Sequence, residues 1–211
     1  MTNTESYKFF MINNAIKNQA FLALKTAMNA YYPLSDSTWN TFIKFCECIN
    51  VNKNEALYPS GQVPQSFAFV YQGLFRAFHI DDKGHEYNKT FFYEGCFPGS
   101  MTALLTNSAT ATTIDALESS IIITINFKQY RQLLLTSEDL KLFQIYYLEK
   151  NWLLTKDARE NEIIQEDATQ RYQRFLQEFP ELNQRLAQYH IASHLGITPT
   201  QLSRIRKNNK T

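Results

Sequence analysis

The chain has 211 residues, 44% of them hydrophobic, with 16 Phe and 12 Tyr. That is enough for one large domain or for a larger domain with a small companion. No apolar run approaches the roughly 18 residues of a membrane span, and residues 1–7 lack the basic and apolar regions of a secretory signal. The net charge of +1 is unevenly spread: beyond Glu181 there is no acid, and Arg185, Arg204, Arg206, Lys207 and Lys210 make that tail +5, against 16 basic and 20 acidic residues (−4) before it. An acidic body with a basic end is the footprint of a segment that docks on a polyanion. Cys46, Cys48 and Cys96 form no disulfide framework, which suits a reducing cytoplasm.

In chain order, residues 15–32 carry Ile16, Ala20, Phe21, Leu24 and Met28 at helical spacing. Ser35 or Asp36 can cap a short second helix bearing Trp39, Phe42 and Ile43. From about residue 46 to 126 the pattern changes to short strands: an apolar run at 67–71, Gly73, a second run at 74–80, a turn at 81–84 (Asp-Asp-Lys-Gly), a third run at 86–93 and a fourth at 121–125. Short, glycine-punctuated strands predict a small antiparallel barrel or roll. From 127 onward the chain reads as helical. Residues 138–166 suit one helix of about 29 residues and about 43 Å. Its first half is apolar nearly all round (Leu140, Leu142, Phe143, Ile145, Tyr146, Tyr147, Leu148, Trp152, Leu153, Leu154), so it must be covered on several sides, by the roll and by a second copy of itself. Its second half is charged. A further helix covers 168–178 with Tyr172, Phe175 and Leu176 on one face, and Pro180 follows its end.

Residues 189–207 have the pattern of a helix-turn-helix. Ala192 is the small residue at the helix crossing, and Gly196 supplies the positive φ of the turn. Ile191, Leu195, Ile197, Leu202 and Ile205 form the shared core. Thr198 caps the second helix, and Pro199 takes its first position, where a missing N–H costs nothing. The exposed face of the second helix is then Thr200, Gln201, Ser203, Arg204 and Lys207. Thr200, Gln201 and Arg204 are the expected base readers; Ser193, Ser203, Arg206 and Lys207 are expected at phosphates. Thr198, at the cap, is counted with this DNA-contacting set. A zinc site at Cys46 and Cys48 would need two more good ligands, and no nucleophile elbow accompanies any Ser, His and Asp, so neither a metal centre nor an enzyme is expected.

The stretch 71–86 (YQGLFRAFHIDDKGHE) and the stretch 191–206 (IASHLGITPTQLSRIR) together resemble the catabolite-activator and fumarate-nitrate-regulator (Crp-Fnr) family across about residues 35–207. The resemblance implies an α+β chain: N-terminal helices and an antiparallel β-roll (a double-stranded β-helix of the cyclic-nucleotide-binding type) over 1–136, a long dimerisation helix over 137–166, and a helix-turn-helix over 167–211. It implies double-stranded DNA, a second copy of the chain and RNA polymerase as partners, and a small effector in the roll near Gly99, Ser100, Met101, Thr102, Thr110 and Thr112. The family's cyclic-nucleotide cassette carries a Gly-Glu followed about ten residues later by an arginine. Here Ser100 stands at the acid's place and Thr110 at the arginine's, and no Lys or Arg lies between Lys89 and Lys128. cAMP in the family's usual manner is therefore not expected, and no cofactor is. Without an N-terminal cysteine cluster the likeness to iron–sulfur members does not extend here. The competing reading is a small-ligand module whose helical tail contacts a protein.

Overall fold

The computed structural model describes residues 12–154 and 166–208. The charged second half of the expected long helix lies largely outside them, as does Lys210. α1 (Asn14–Asn29) starts under an Asn13 cap, and α2 (Asp36–Phe42) under Ser35, whose hydroxyl accepts the Thr38 N–H. A short 3₁₀ turn leads into the strands β1 (Cys46–Val51), β2 (Ala56–Tyr58), β3 (Ser66–Gln72), β4 (Phe75–Ile80) and β5 (Glu86–Phe92). Then come α3 (Met101–Thr106), β6 (Thr113–Ala116), β7 (Ser120–Asn126), α4 (Phe127–Thr136) and α5 (Glu138–Leu148). The terminal set is α6 (Ala168–Glu178), α7 (Leu182–Arg185), α8 (Gln188–Leu195) and α9 (Pro199–Asn208).

Two antiparallel sheets form the roll, one in the order β1-β7-β3 and the other β2-β6-β4-β5. The period of two decides which side chains meet. On β3, Ala68 and Val70 point between the sheets with Ile122 of β7, Phe75, Ala77 and Ile114. The alternate residues Phe67 and Phe69, with Ile123 and Ile125, face outward. That outer face is not solvated, because α1, α2, α4 and α5 cover it with Leu24, Met28, Trp39, Phe42, Tyr130, Leu134, Leu140 and Phe143. A strand buried on both faces reads as an unbroken apolar run, which is why 67–71 shows no polar alternation. Cys46 and Cys48 fall on one face of β1, as their spacing predicts, against this helical layer. Burial pushes the Cys46 thiol up to about 12, which disfavours its thiolate.

The helical stretch after β7 breaks at Ser137, just before the helix expected from residue 138. Thr136 ends α4, and α5 begins at Glu138. Ser137 supplies no side-chain cap; Asp139 instead accepts from Ser35 N–H and the Thr38 hydroxyl, tying the start of α5 to the start of α2. After Leu148 the helix widens into a π turn at Glu149–Leu153, where Asn151 Nδ2 donates to the Tyr147 carbonyl and to Tyr31. One face of α5 is sealed by Leu140 and Phe143. Ile145, Tyr146, Leu148, Trp152, Leu153 and Leu154 are exposed, Leu154 by 66%. Among the described residues no helix is long and apolar enough to cross a membrane.

Candidate functional site

α8 and α9 meet as the sequence pattern requires. Gly196 closes α8 at φ 66°, and its N–H reaches the Ser193 carbonyl. Arg171 of α6 donates to the Leu195 carbonyl, satisfying another group at that helix end. Ile191, Ala192, Leu195 and Leu202 are buried together, with Ile197 and Ile205 at the margin. The Thr198 hydroxyl accepts the Gln201 N–H at 3.2 Å, and Gln201 Oε1 accepts the Thr198 N–H at 2.9 Å, a reciprocal cap. Thr198, Thr200, Gln201, Ser203, Arg204 and Lys207 are exposed along one side of α9, and Arg206 is half-buried. Gln201 has a double task, since its carbonyl oxygen serves the cap and only its amide N–H groups point free of it.

Two residues assigned to the basic tail stand elsewhere. Ser193, expected at a phosphate, has its hydroxyl taken by β5: it donates to the Glu86 carbonyl and accepts the Asn88 N–H, both at 2.9 Å. Arg185 is held by Glu94 at 2.8 Å and Glu118 at 2.7 Å. Those half-exposed ion pairs engage one of the five tail cations with the roll, so Arg204, Arg206 and Lys207 carry the charge of the described part of the motif.

The seam between roll and terminal helices was not legible beforehand. Leu74 and Phe91 of the roll are buried in the same cluster as Tyr172, Phe175, Leu182, Leu186 and Ile191. Beside it lies a buried polar knot. Arg76 on β4 donates to Asp115 on β6 and to Glu86 and Asn88 on β5, and its Nη1 lies 3.4 Å from Nδ1 of His190 on α8. Asn88 Nδ2 lies 3.2 Å from the same nitrogen. Both neighbours are donors, so Nδ1 accepts and His190 is neutral. Burial, and then the Arg76 charge, lower its pKa to about 4. A sequence offers no sign that His190 and Arg76, 114 positions apart, share a site.

The cassette residues divide. Gly99 has no room for a side chain, because a Cβ there would sit 2.7 Å from Phe67 Cβ. Met101 turns into the helical layer and Thr102 is exposed. Ser100, Thr110 and Thr112 do converge. Thr110 Oγ1 lies 2.9 Å from Ser100 Oγ and 3.0 Å from the Thr112 carbonyl, and it accepts the Thr112 N–H. His79 joins them, 3.2 Å from the Thr112 hydroxyl and 3.0 Å from the Ala111 carbonyl. Thr110 also borders a recess of about 220 Å³ walled by Leu57, Tyr58, Val63 and Pro64. These groups do not suit a cyclic nucleotide. The hydroxyls bond to one another where a carboxylate and a guanidinium would hold ribose and phosphate.

Residues 48–137 match the family model of the cyclic nucleotide-binding domain. A comparison with curated proteins finds no match. Among solved structures, the c-di-GMP responsive global regulator CLP of Xanthomonas campestris aligns with a TM-score of 0.64 at 16% identity, over 83% of this chain and 92% of that one. FixK2 of Bradyrhizobium japonicum aligns at 0.62 and 16% identity, over 77% and 83%. The sensor domain of the transcriptional regulator DNR of Pseudomonas aeruginosa aligns at 0.55 and 16%, over 69% and 95%. At such identities the likeness speaks for the fold, and it extends past the roll into the terminal helices. Two sheets in jelly-roll order, a covering helical layer and an appended two-helix motif all agree with it: residues 48–137 resemble a cyclic nucleotide-binding domain, and the described chain shares its overall fold with these solved regulators.

Proposed function

We propose that the protein is a cytoplasmic, DNA-binding transcription regulator that acts as a homodimer. The observation that carries the reading is the open, acid-free face of α9: Thr200, Gln201, Ser203, Arg204 and Lys207 are exposed side by side while Leu202 anchors the helix from behind. Such a helix fits the major groove, with Arg204 able to meet guanine through two hydrogen bonds and the basic residues set against phosphates. The exposed apolar stripe from Ile145 to Leu154 supports a second copy as its cover, by pairing the two long helices. Two recognition helices then read half-sites about one helical turn apart. The division into 1–136, 137–166 and 167–211 belongs to this proposal. So does RNA polymerase as a further partner. The roll serves as scaffold, or as sensor of a small effector other than cAMP.

Titration of a labelled duplex carrying the promoter of the protein's own operon, at 50 and 200 mM salt, tests it. Tighter binding than to random DNA is expected, weakening by orders of magnitude at the higher salt, because displaced counterions dominate affinity. Arg204→Glu should abolish binding and leave the thermal midpoint unchanged. Equal affinity for promoter and random duplexes would count against specific regulation. Survival of binding in Arg204→Glu would favour a tail that contacts protein.

A further inference from the structure

β5 is an edge strand of its sheet. An edge strand presents backbone N–H and C=O groups that need partners. Here α8 supplies them with side chains. The Ser193 hydroxyl bridges the Glu86 carbonyl and the Asn88 N–H, standing where the peptide group of a neighbouring strand would stand. His194 Nδ1 lies 3.3 Å from the Asn88 carbonyl, and Asn88 Nδ2 donates to the His190 carbonyl at 3.0 Å. A second, separate link lies at the other end of the seam, where Arg185 carries both Glu94 and Glu118. None of these groups lies on the open face of α9.

We propose that Ser193 and Arg185 are positioning residues for DNA recognition. Ser193 clasps α8 to the edge of β5, Arg185 ties α7 to the roll at Glu94 and Glu118, and the two links together set the orientation of α9 relative to the roll. This rests on the reading of the protein as a DNA-binding dimer. Two recognition helices must reach successive half-sites at once, so each must hold one angle to its own roll. A unit clasped in that angle does not have to be ordered when DNA arrives. A unit that samples other angles binds with an apparent affinity reduced by the fraction of time it spends in the right one. The clasp lends itself to this role because it is local: losing the Ser193 hydroxyl uncovers two backbone groups on β5 and leaves the three-stranded sheet and its helical layer untouched.

The test uses the full chain and the variants Ser193→Ala, Ser193→Thr and Arg185→Gln. The probe is a 30-base-pair duplex recovered by the wild type from a random pool. Two quantities are read: affinity for that duplex, and hydrogen exchange of the Asn88 amide and the α8 amides against those of Phe69 and Ile123. In Ser193→Ala the Asn88 amide should exchange at least tenfold faster, with Phe69 and Ile123 unchanged and duplex affinity about tenfold lower. Ser193→Thr, which keeps the hydroxyl, should restore both. Arg185→Gln should shift both in the same direction as the alanine variant. An Asn88 amide that exchanges no faster in Ser193→Ala overturns the clasp. Faster exchange with affinity kept within twofold overturns the positioning role. Failure of the wild type to recover any duplex overturns the DNA reading itself, and the positioning role falls with it.

Discussion

At the scale of single residues, the polar knot at the seam makes two sharp demands. Arg76 is buried against Asp115, with Glu86, Asn88 and His190 around it. Arg76→Gln leaves Asp115 largely buried without a counter-charge, and a loss of about 3 kcal/mol in unfolding free energy is expected from denaturant midpoints. His190 gives a pH dependence whose sign follows from its environment. Its pKa is about 4 in the folded chain against an ordinary 6.5, because burial and the Arg76 charge both oppose protonation. Between those values the unfolded chain binds the extra proton, so stability is complete above about 6.5 and falls as pH drops toward 4. Urea midpoints at pH 7 and 4.5 should differ less in His190→Gln than in the wild type. An equal difference would show that other groups carry the acid sensitivity.

At the scale of elements, glycine and the exposed stripe matter most. Gly99 lets the segment before α3 run against β3, where Pro98 and Cys96 carbonyls accept the Ala68 and Val70 N–H groups. Gly99→Ala forces a methyl into Phe67, and a cost of about 1–3 kcal/mol is expected, read as a lowered thermal midpoint. The stripe after Phe143 behaves in the opposite way. Leu153 is 62% exposed, so Leu153→Glu should leave the stability of the roll unchanged. By burying a charge in the proposed seam it should convert dimer to monomer, as measured by light scattering at micromolar concentration. A dimer that persists in this variant would move the interface elsewhere. The π turn at Glu149–Leu153 lies inside this stripe and changes which side chains share a face, so heptad counting across it misplaces them.

At the scale of the whole molecule, the terminal helices are not a separate bead. Leu74 and Phe91 are buried in one cluster with the core of α6 to α9, and β5 is closed by α8. One calorimetric transition is therefore expected for roll and terminal helices together, since neither can open without exposing the other's core. Two resolved transitions would show that the seam breaks first. The ion pairs of Arg185 belong to this scale too. They tie one of the tail's cations to the roll, so fewer of the tail's charges stand on α9 than its composition suggests.

The residues by themselves determined everything that depends on local periodicity and local chemistry. The pairing of α8 and α9 was legible because Gly196, Thr198, Pro199 and five apolar positions each answer a short-range need. The roll was legible because its strands are short, apolar and punctuated. β2 and β6, with three and four residues, were too short to show a period, and α3 was hidden in a run of Thr, Ala and Leu. Only the tertiary structure decided what Arg76, Ser193, Arg185 and His190 do. Their partners lie tens of positions away, and a hydroxyl that caps a strand edge is indistinguishable in sequence from one that waits for a phosphate. Long-range packing chose between these uses, because the edge of β5 had to be satisfied and α8 was the element that reached it.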